Sequence, residues 1–192
     1  MTLSVPPAEQ PGLSDATVIA ASLDAPTAFA RIFERHHAAV HRYLGRRLGS
    51  DLADELAAET FAVAFKKRRR YDEGYADARP WLFGIATRLA QRHWRREERE
   101  LRAYARTGLD PAAPAHDERV AAEADSAAAA PALAAALALL SRDERDVLLL
   151  YAWAELAYPE IAAALSISPG TVKSRLHRAR ARVRRQLEEF DG

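Results

Sequence analysis

Apolar residues recur every three or four positions along most of the chain, which is the spacing of one buried face of an α-helix. One such face lies in the N-terminal half and consists of Phe29, Ile32, Phe33, Val40, Leu44 and Leu48. The pattern stops at Gly49, a residue type that commonly ends helices. The spacing therefore predicts a long amphipathic helix over 26–49.

Further helices are predicted on either side of this one. Ser50 or Asp51 can cap the helix that follows, and Pro80 suits the first turn of another. With a short helix before position 26, these elements predict a helical domain over 14–106. A proline-containing tail, 1–13, precedes it.

The composition changes after this domain. Segment 107–131 contains Pro, Gly and many Ala residues and has more acids than bases, so we expect a flexible linker that could reach roughly 80 Å if fully extended. Segment 132–192 then predicts several short helices and no strand-like alternation. The predicted fold is all-α, with two small helical domains joined by the linker.

Composition excludes several classes of function. The chain has no Cys, so thiolate chemistry and disulfides are ruled out. There is no phosphate-binding Gly-rich loop and no nucleophile elbow, and neither a signal peptide nor a membrane-spanning segment is predicted. We expect a cytoplasmic protein that is not an enzyme and needs no cofactor.

Three histidines raise the alternative of a metal enzyme. His37 and His41 share a helical face, and His36 lies beside them. Two histidines without a clear third ligand are more often a solvated face than a metal site. We therefore predict no metal.

The chain carries 28 basic and 27 acidic residues, yet the helix predicted over 168–185 contains no acid. Its apolar stripe has helical spacing and consists of Val172, Leu176, Ala179, Val183 and Leu187. Ser168 is a suitable N-cap and Pro169 a suitable first residue. Just upstream, "YPEIAAALSI" supplies a short helix and a turn, so the segment predicts a helix-turn-helix.

In a helix-turn-helix the second helix enters the major groove of duplex DNA. We expect its first turns to meet base edges and its later arginines to meet phosphates. The predicted contact residues are Ser168, Thr171, Lys173, Ser174, Arg175, Arg178, Arg182 and Arg185. The alternative is a merely solvated Arg-rich helix, although such faces usually mix charge signs.

A second basic stripe with helical spacing lies in the N-terminal domain and consists of Arg88, Arg92, Arg95, Arg99, Arg102 and Arg106. Aromatic residues flank it, and aromatic rings beside a cationic track suit single-stranded bases. The predicted contact residues here are Trp81, Arg88, Arg92, Arg95, Arg96 and Arg99. Taken singly, Trp81, Phe83 and Trp94 beside this stripe are more often core residues than stacking platforms.

The helix after Gly49 has the opposite charge near its start, with Asp51, Asp54, Glu55 and Glu59. Acids there complement the helix dipole, and that explanation competes with a docking role. If the helix docks on another molecule, we expect that partner to be a basic protein surface.

Three segments together resemble the extracytoplasmic-function branch of bacterial RNA polymerase sigma factors: "ADELAAETF", "PWLFGIATRLAQRHWRRE" and "YPEIAAALSISPGTVKSRLHRARARVR". The resemblance implies that region 2 docks its acidic helix on the clamp helices of the polymerase β′ subunit and opens and reads the −10 element. It implies that region 4 reads the −35 element and contacts the β flap. It leaves open an anti-sigma factor as a further partner.

The chain departs from the family pattern at three positions. Arg88 stands where the family often has Asn, Ser166 where the turn commonly has Gly, and Ala157 where Ser commonly caps the first helix of the motif.

Two rival functions also remain at this point. One is a helix-turn-helix regulator that acts without polymerase, and the other is a protein that only sequesters partners.

Overall fold

The computed structural model describes residues 13–107 and 130–191, with the side chains of 13–96, 133 and 135–188. Within these residues the chain forms helices and no strand, which confirms the all-α prediction. The helices are α1 Asp15–Asp24, α2 Ala30–Leu48, α3 Ser50–Lys67, α4 Arg79–Thr107, α5 Ala130–Ala138, α6 Arg142–Ala152, α7 Tyr158–Leu165 and α8 Pro169–Asp191. Apart from their ends, the predicted tail and linker lie outside the described residues.

Helices α2, α3 and α4 pack on one another and form the core of the N-terminal group. Ile32, Val40 and Leu44 are fully buried on the predicted face of α2. Phe33, which was predicted to share that face, is instead 42% exposed and stacks edge-to-face on Phe61. The periodicity thus located the buried side of α2 with one residue misplaced at its margin.

The predicted cap of α3 is wrong. Gly49 alone separates α2 from α3, and it takes a positive φ of 87°, a conformation that glycine adopts without strain. Ser50 is therefore already the first helical residue, and its hydroxyl donates to the Asp51 carboxylate at 3.1 Å. The N-cap position belongs to Gly49, so neither Ser50 nor Asp51 occupies it.

Helix α1 is attached to the rest of this group by Asp15. Its carboxylate accepts from Arg35 at 2.8 Å and from the backbone N–H of Ala78 at 2.9 Å, and it is bonded to His36 at 2.6 Å. Burial alone would raise the pKa of Asp15, but these bonds outweigh it and lower the pKa. The contacts hold the first turn of α1 against α2 and the approach to α4.

The C-terminal group is built around α8, which packs on α5, α6 and α7. Val172, Leu176 and Ala179 are buried, as the stripe predicted, whereas Val183 is only partly buried. The buried apolar residues of this group and of the N-terminal group form one continuous core. The main contact between the two groups runs from α4 to α7.

Candidate nucleic-acid interface

Helices α7 and α8 and the turn between them have the geometry of a helix-turn-helix. Ser166 ends α7 in the left-handed conformation, with φ 57° and ψ 46°, where glycine would be unstrained. The Ser168 hydroxyl accepts from the backbone N–H of Thr171 at 3.1 Å, so the predicted N-cap of α8 is confirmed. The turn and the cap together set the direction in which α8 leaves α7.

The start of α7 keeps half of a capping box. Ala157 has no side-chain acceptor for the first N–H groups of the helix. The Glu160 carboxylate nevertheless accepts from the backbone N–H of Ala157 at 2.6 Å. The helix therefore keeps the bond between the Glu160 carboxylate and the N-cap backbone N–H, but it lacks the bond that a serine hydroxyl at position 157 would accept.

The first turns of α8 present an exposed polar surface. Lys173 and Ser174 are exposed, while Val172 and Leu176 point into the core. The Thr171 hydroxyl is bonded to that of Ser168 at 2.9 Å, and the Ser174 hydroxyl donates to the carbonyl of Thr171. The start of this helix therefore presents exposed polar side chains where DNA contact was predicted, and the contact itself stays a prediction.

The arginines farther along α8 are held by two carboxylates of α6. Arg175 pairs with Asp143 at 2.5 Å. Arg178 and Arg182 both pair with Glu144, at 3.2 Å and 2.8 Å. These carboxylates fix the arginine head groups on the α6 side of the helix, and DNA phosphates would have to compete with them.

Glu144 organises this surface and is a residue that the sequence reasoning missed. It is 4% exposed and closes a capping box with Ser141, whose hydroxyl and backbone N–H both bond it. Burial would raise its pKa, but the bonds from Ser141 and Arg178 and the charge of Arg182 lower it. The sequence signal was "SRDE" at 141–144, a Ser-x-x-Glu capping pattern.

On α4, two arginines of the predicted basic stripe contact other helices. Arg92 pairs with Glu59 of α3. Arg88 donates to the carbonyl of Ala164 in α7 at 3.1 Å, and partial burial of its guanidinium lowers its pKa. Arg95 is exposed and donates to the carbonyl of Gln91. The side chains of Arg99, Arg102 and Arg106 lie outside the described residues.

The aromatic residues near this stripe divide into core and surface. Phe83 is a core residue, and Trp94 lies between the guanidinium groups of Arg47 and Arg145. Trp81 is half-buried and stacks edge-to-face on Tyr71, with ring centroids 5.0 Å apart. Among the predicted contacts, Trp81 is thus the aromatic residue with an accessible ring.

The acidic face of α3 is open to solvent. Asp51, Asp54 and Glu55 are exposed, and Glu59 is half-exposed. A hollow of about 420 Å³ lies between α3 and α4, and it is lined by Glu55, Leu56, Glu59, Leu89, Arg92, His93 and Arg96. The surface has the charge expected for a basic partner.

Beside α3, the histidines of α2 form a short stack. His37 lies between Phe33 and His41, with centroid distances of 4.5 Å and 5.8 Å, and His41 is bonded to Asp54 at 2.9 Å. His36 points away from this stack and is bonded to Asp15.

Comparison with known proteins links both surfaces to one family. The family model for Sigma-70 region 2 matches residues 32–100, and that for Sigma-70, region 4 matches residues 131–183. The RNA polymerase sigma factor CarQ of Myxococcus xanthus is 33% identical over 165 residues, which cover 85% of this chain and 91% of CarQ. The chain belongs to the sigma-70 family of sigma factors. Region 2 thus holds α3 and most of the α4 stripe, and region 4 holds the helix-turn-helix.

A second relative matches a shorter segment. The RNA polymerase sigma-E factor of Streptomyces avermitilis is 49% identical over 55 residues, which are 29% of this chain. The chain spans only about a third, 31%, of that relative's length in this match.

Solved structures of sigma factors share the fold. The structure of CnrH in complex with the cytosolic domain of CnrY covers 91% of this chain at 21% identity, with a TM-score of 0.64. Sigma factor RpoE, in complex with the anti-sigma factor NepR from Bartonella quintana, covers 83% at 24% identity, with a TM-score of 0.63.

Every helix in the described part of this chain is too short or too polar to cross a membrane.

Proposed function

We propose that this sigma factor binds core RNA polymerase and directs it to specific promoters, with region 2 opening and reading the −10 element and region 4 reading the −35 element. The observation that carries the proposal is the start of α8, where Lys173 and Ser174 are exposed on a capped helix of a helix-turn-helix. Such a surface suits base edges in the major groove.

The acidic face of α3 is the proposed docking surface for polymerase. Its carboxylates, Asp51, Asp54, Glu55 and Glu59, suit a basic surface on the β′ clamp helices, and region 4 is proposed to meet the β flap. The chain supplies binding and positioning, while polymerase supplies the phosphoryl-transfer chemistry. These roles place the protein in the cytoplasm with the genome.

An anti-sigma factor is a further proposed partner. RpoE is seen in complex with the anti-sigma factor NepR, and CnrH in complex with the cytosolic domain of CnrY. The support for this chain is the shared fold and the open acidic surface of α3. A regulator that acts without polymerase would have no use for that surface.

Transcription with purified core polymerase tests the function. We expect the full chain to give a defined start site on some fragments of a genomic template pool, and none without core enzyme. Asp54→Lys with Glu55→Lys should weaken binding to core at least about ten-fold, because charge reversal opposes a basic partner.

The matched control is Asp24→Lys with Glu188→Lys, which makes the same change in net charge at exposed sites outside α3. This control should bind core polymerase like the wild type. If neither the wild type nor the control selects a promoter, the proposed function is wrong. If the α3 reversal binds core normally, the docking surface lies elsewhere.

A further inference from the structure

Helices α2 and α3 carry facing stripes of side chains in region 2. On α2, Phe33, His37 and His41 follow one another at spacings of four positions, so they lie along one side of the helix. On α3, Asp54 and Phe61 are seven positions apart and share one side in the same way. The stripes meet in antiparallel order, since Phe33 contacts Phe61 and His41 contacts Asp54.

The stack formed by Phe33, His37 and His41 offers an accessible aromatic surface. Phe33 is 42% exposed although it packs edge-to-face on Phe61. His37 lies between Phe33 and His41, and its ring centroid is 6.0 Å from that of Phe61. Aromatic side chains of this kind are enriched at the centres of protein interfaces. The stack therefore adds an apolar contact beside the charged residues of α3.

The stack is continuous with the acidic face that is proposed to dock polymerase. Asp54 belongs to that face and is exposed, and its Oδ1 lies 2.9 Å from Nε2 of His41. Asp51 lies three positions before Asp54, one helical turn nearer the start of α3. A basic partner seated on these two carboxylates would also reach His41.

The stack contains the groups on this surface whose charge depends on pH near neutrality. The neighbouring charged residues are Glu34 and Arg42 on α2, Asp51 and Asp54 on α3, and Arg68 in the short helical turn that follows α3. Carboxylate and guanidinium groups keep their charge near neutral pH, whereas histidine ordinarily changes charge between pH 5 and 8. A change of pH in that range therefore changes the charge of this surface through its imidazoles.

We propose that Phe33, His37 and His41 complete the surface on which core polymerase docks, and that the two histidines set its charge. When both imidazoles are neutral, the surface is acidic and suits a basic partner. When they take up protons, His41 neutralises Asp54 and His37 adds a positive charge, so the basic partner binds less tightly. This inference rests on the proposed function and adds proton-dependent binding to it.

The geometry gives protonation a direct effect on docking. An imidazolium at His41 pairs with Asp54 through the contact that is already present, so no rearrangement of the helices is needed. One exposed charge interaction shifts an equilibrium by up to about five-fold. The two protonations should together weaken polymerase binding by about three- to twenty-fold.

Two double variants fix the charge of the stack. His37→Gln with His41→Gln keeps it polar and uncharged at any pH, and His37→Lys with His41→Lys keeps it positive across the same range. The matched control is His177→Gln, which removes an exposed histidine of α8 outside the stack. Circular dichroism at about pH 6 and about pH 8 shows whether each variant folds under both conditions.

The affinity of the full chain for core polymerase, measured at both pH values, tests the proposal. Titration of polymerase itself affects every variant alike, so the glutamine variant supplies the baseline. Relative to that baseline, the wild type and His177→Gln should lose about three- to twenty-fold in affinity between about pH 8 and about pH 6. The lysine variant should bind weakly at both values.

Two results would overturn the proposal. Equal losses of affinity in the wild type and the glutamine variant would show that the histidines do not set the charge of the docking surface. Binding of the lysine variant at about pH 8 as tight as that of the wild type would place α2 outside the surface.

Failure of the proposed function gives a different result. In that case neither the wild type nor any variant binds core polymerase at either pH. Binding that is present but does not depend on His37 and His41 removes only the inference drawn here and leaves the function in place.

Discussion

Helices α8 and α4 carry the two basic faces of the chain, and their arginines are held in different ways. On α8, Arg178 and Arg182 pair with Glu144, a buried carboxylate of the same region. On α4, Arg92 pairs with the half-exposed Glu59 of α3, and Arg88 reaches across to region 4. The α8 arginines are therefore held within their own group of helices, whereas Arg88 takes part in a contact between the two groups.

The largest effect is expected from Glu144→Ala, which removes the carboxylate that holds two arginines of α8. The change removes the acceptor of the Ser141 backbone N–H and the partner of two arginines, so the free energy of unfolding should fall by about 2–3 kcal/mol. Denaturant unfolding followed by circular dichroism measures it.

The matched control is Glu160→Ala, which removes a glutamate from the equivalent position of α7. Glu160 accepts from the backbone N–H of Ala157 and closes only half a capping box, so we expect a loss of about 0.5–1 kcal/mol. Equal losses in the two variants would mean that Glu144 acts as a helix cap and does not organise the α8 arginines.

A smaller effect, on DNA binding, is expected from Arg175→Ala. If Arg175 leaves Asp143 to bind a base edge, its loss should weaken binding to the preferred duplex by about 1–3 kcal/mol and relax preference at particular base pairs. Competition binding with single-base variants of the duplex measures both effects.

Arg182→Ala is the matched comparison on the same helix. A phosphate contact carries no sequence information, so this variant should weaken all duplexes alike and reduce the slope of log affinity against log salt by about one unit. A uniform loss for Arg175→Ala as well would show that Arg175 also contacts phosphate and that the reading surface is confined to the first turn of α8.

The smallest expected effect concerns pH. Asp15 of α1 and Glu144 of α6 both have a pKa below the ordinary value, so the unfolded chain binds more protons than the folded one at these sites. Their contributions to stability are present above the ordinary carboxylate pKa of about 4 and are lost as the pH falls through the lower folded-state values.

Unfolding free energies measured across the acidic range check this dependence. The wild type should lose stability as the pH falls, and Glu144→Ala should lose less because one of the two groups is gone. An identical pH dependence in both proteins would mean that the Glu144 carboxylate is not stabilised in the folded state.

Local patterns allowed the helices, and the face of α8 that is buried, to be predicted from the sequence. Buried Val172 and Leu176 follow from helical spacing, and the Ser168 cap follows from residue type. The boundary at Gly49 was found but its cap was misassigned: Gly49 itself takes the N-cap position with a positive φ, so α3 starts one or two residues earlier than a cap at Ser50 or Asp51 would allow. Such features depend on residues close in sequence.

The contacts between regions could not be predicted in this way. Arg47 and Asp146 are 99 positions apart, and each looked like an ordinary charged helix residue. Arg88 has the spacing of a DNA-facing stripe, yet its guanidinium bonds Ala164. Periodicity shows which side of a helix is buried but not which helix covers it, so the predicted site residues on α4 remain a prediction.

Helices α4 and α7 come closest at Gly84, where a Cβ atom would lie 2.5 Å from the carbonyl oxygen of Ala164, and this gives a way to sort related proteins from their sequences alone. Any side chain at the equivalent position, down to a methyl group, would prevent the α4–α7 contact described here. Relatives with glycine there can form the same contact, and relatives with a larger residue must pack these helices along another surface or leave them apart. A single alignment column would then separate the chains that can bring α4 and α7 together in this way from those that cannot.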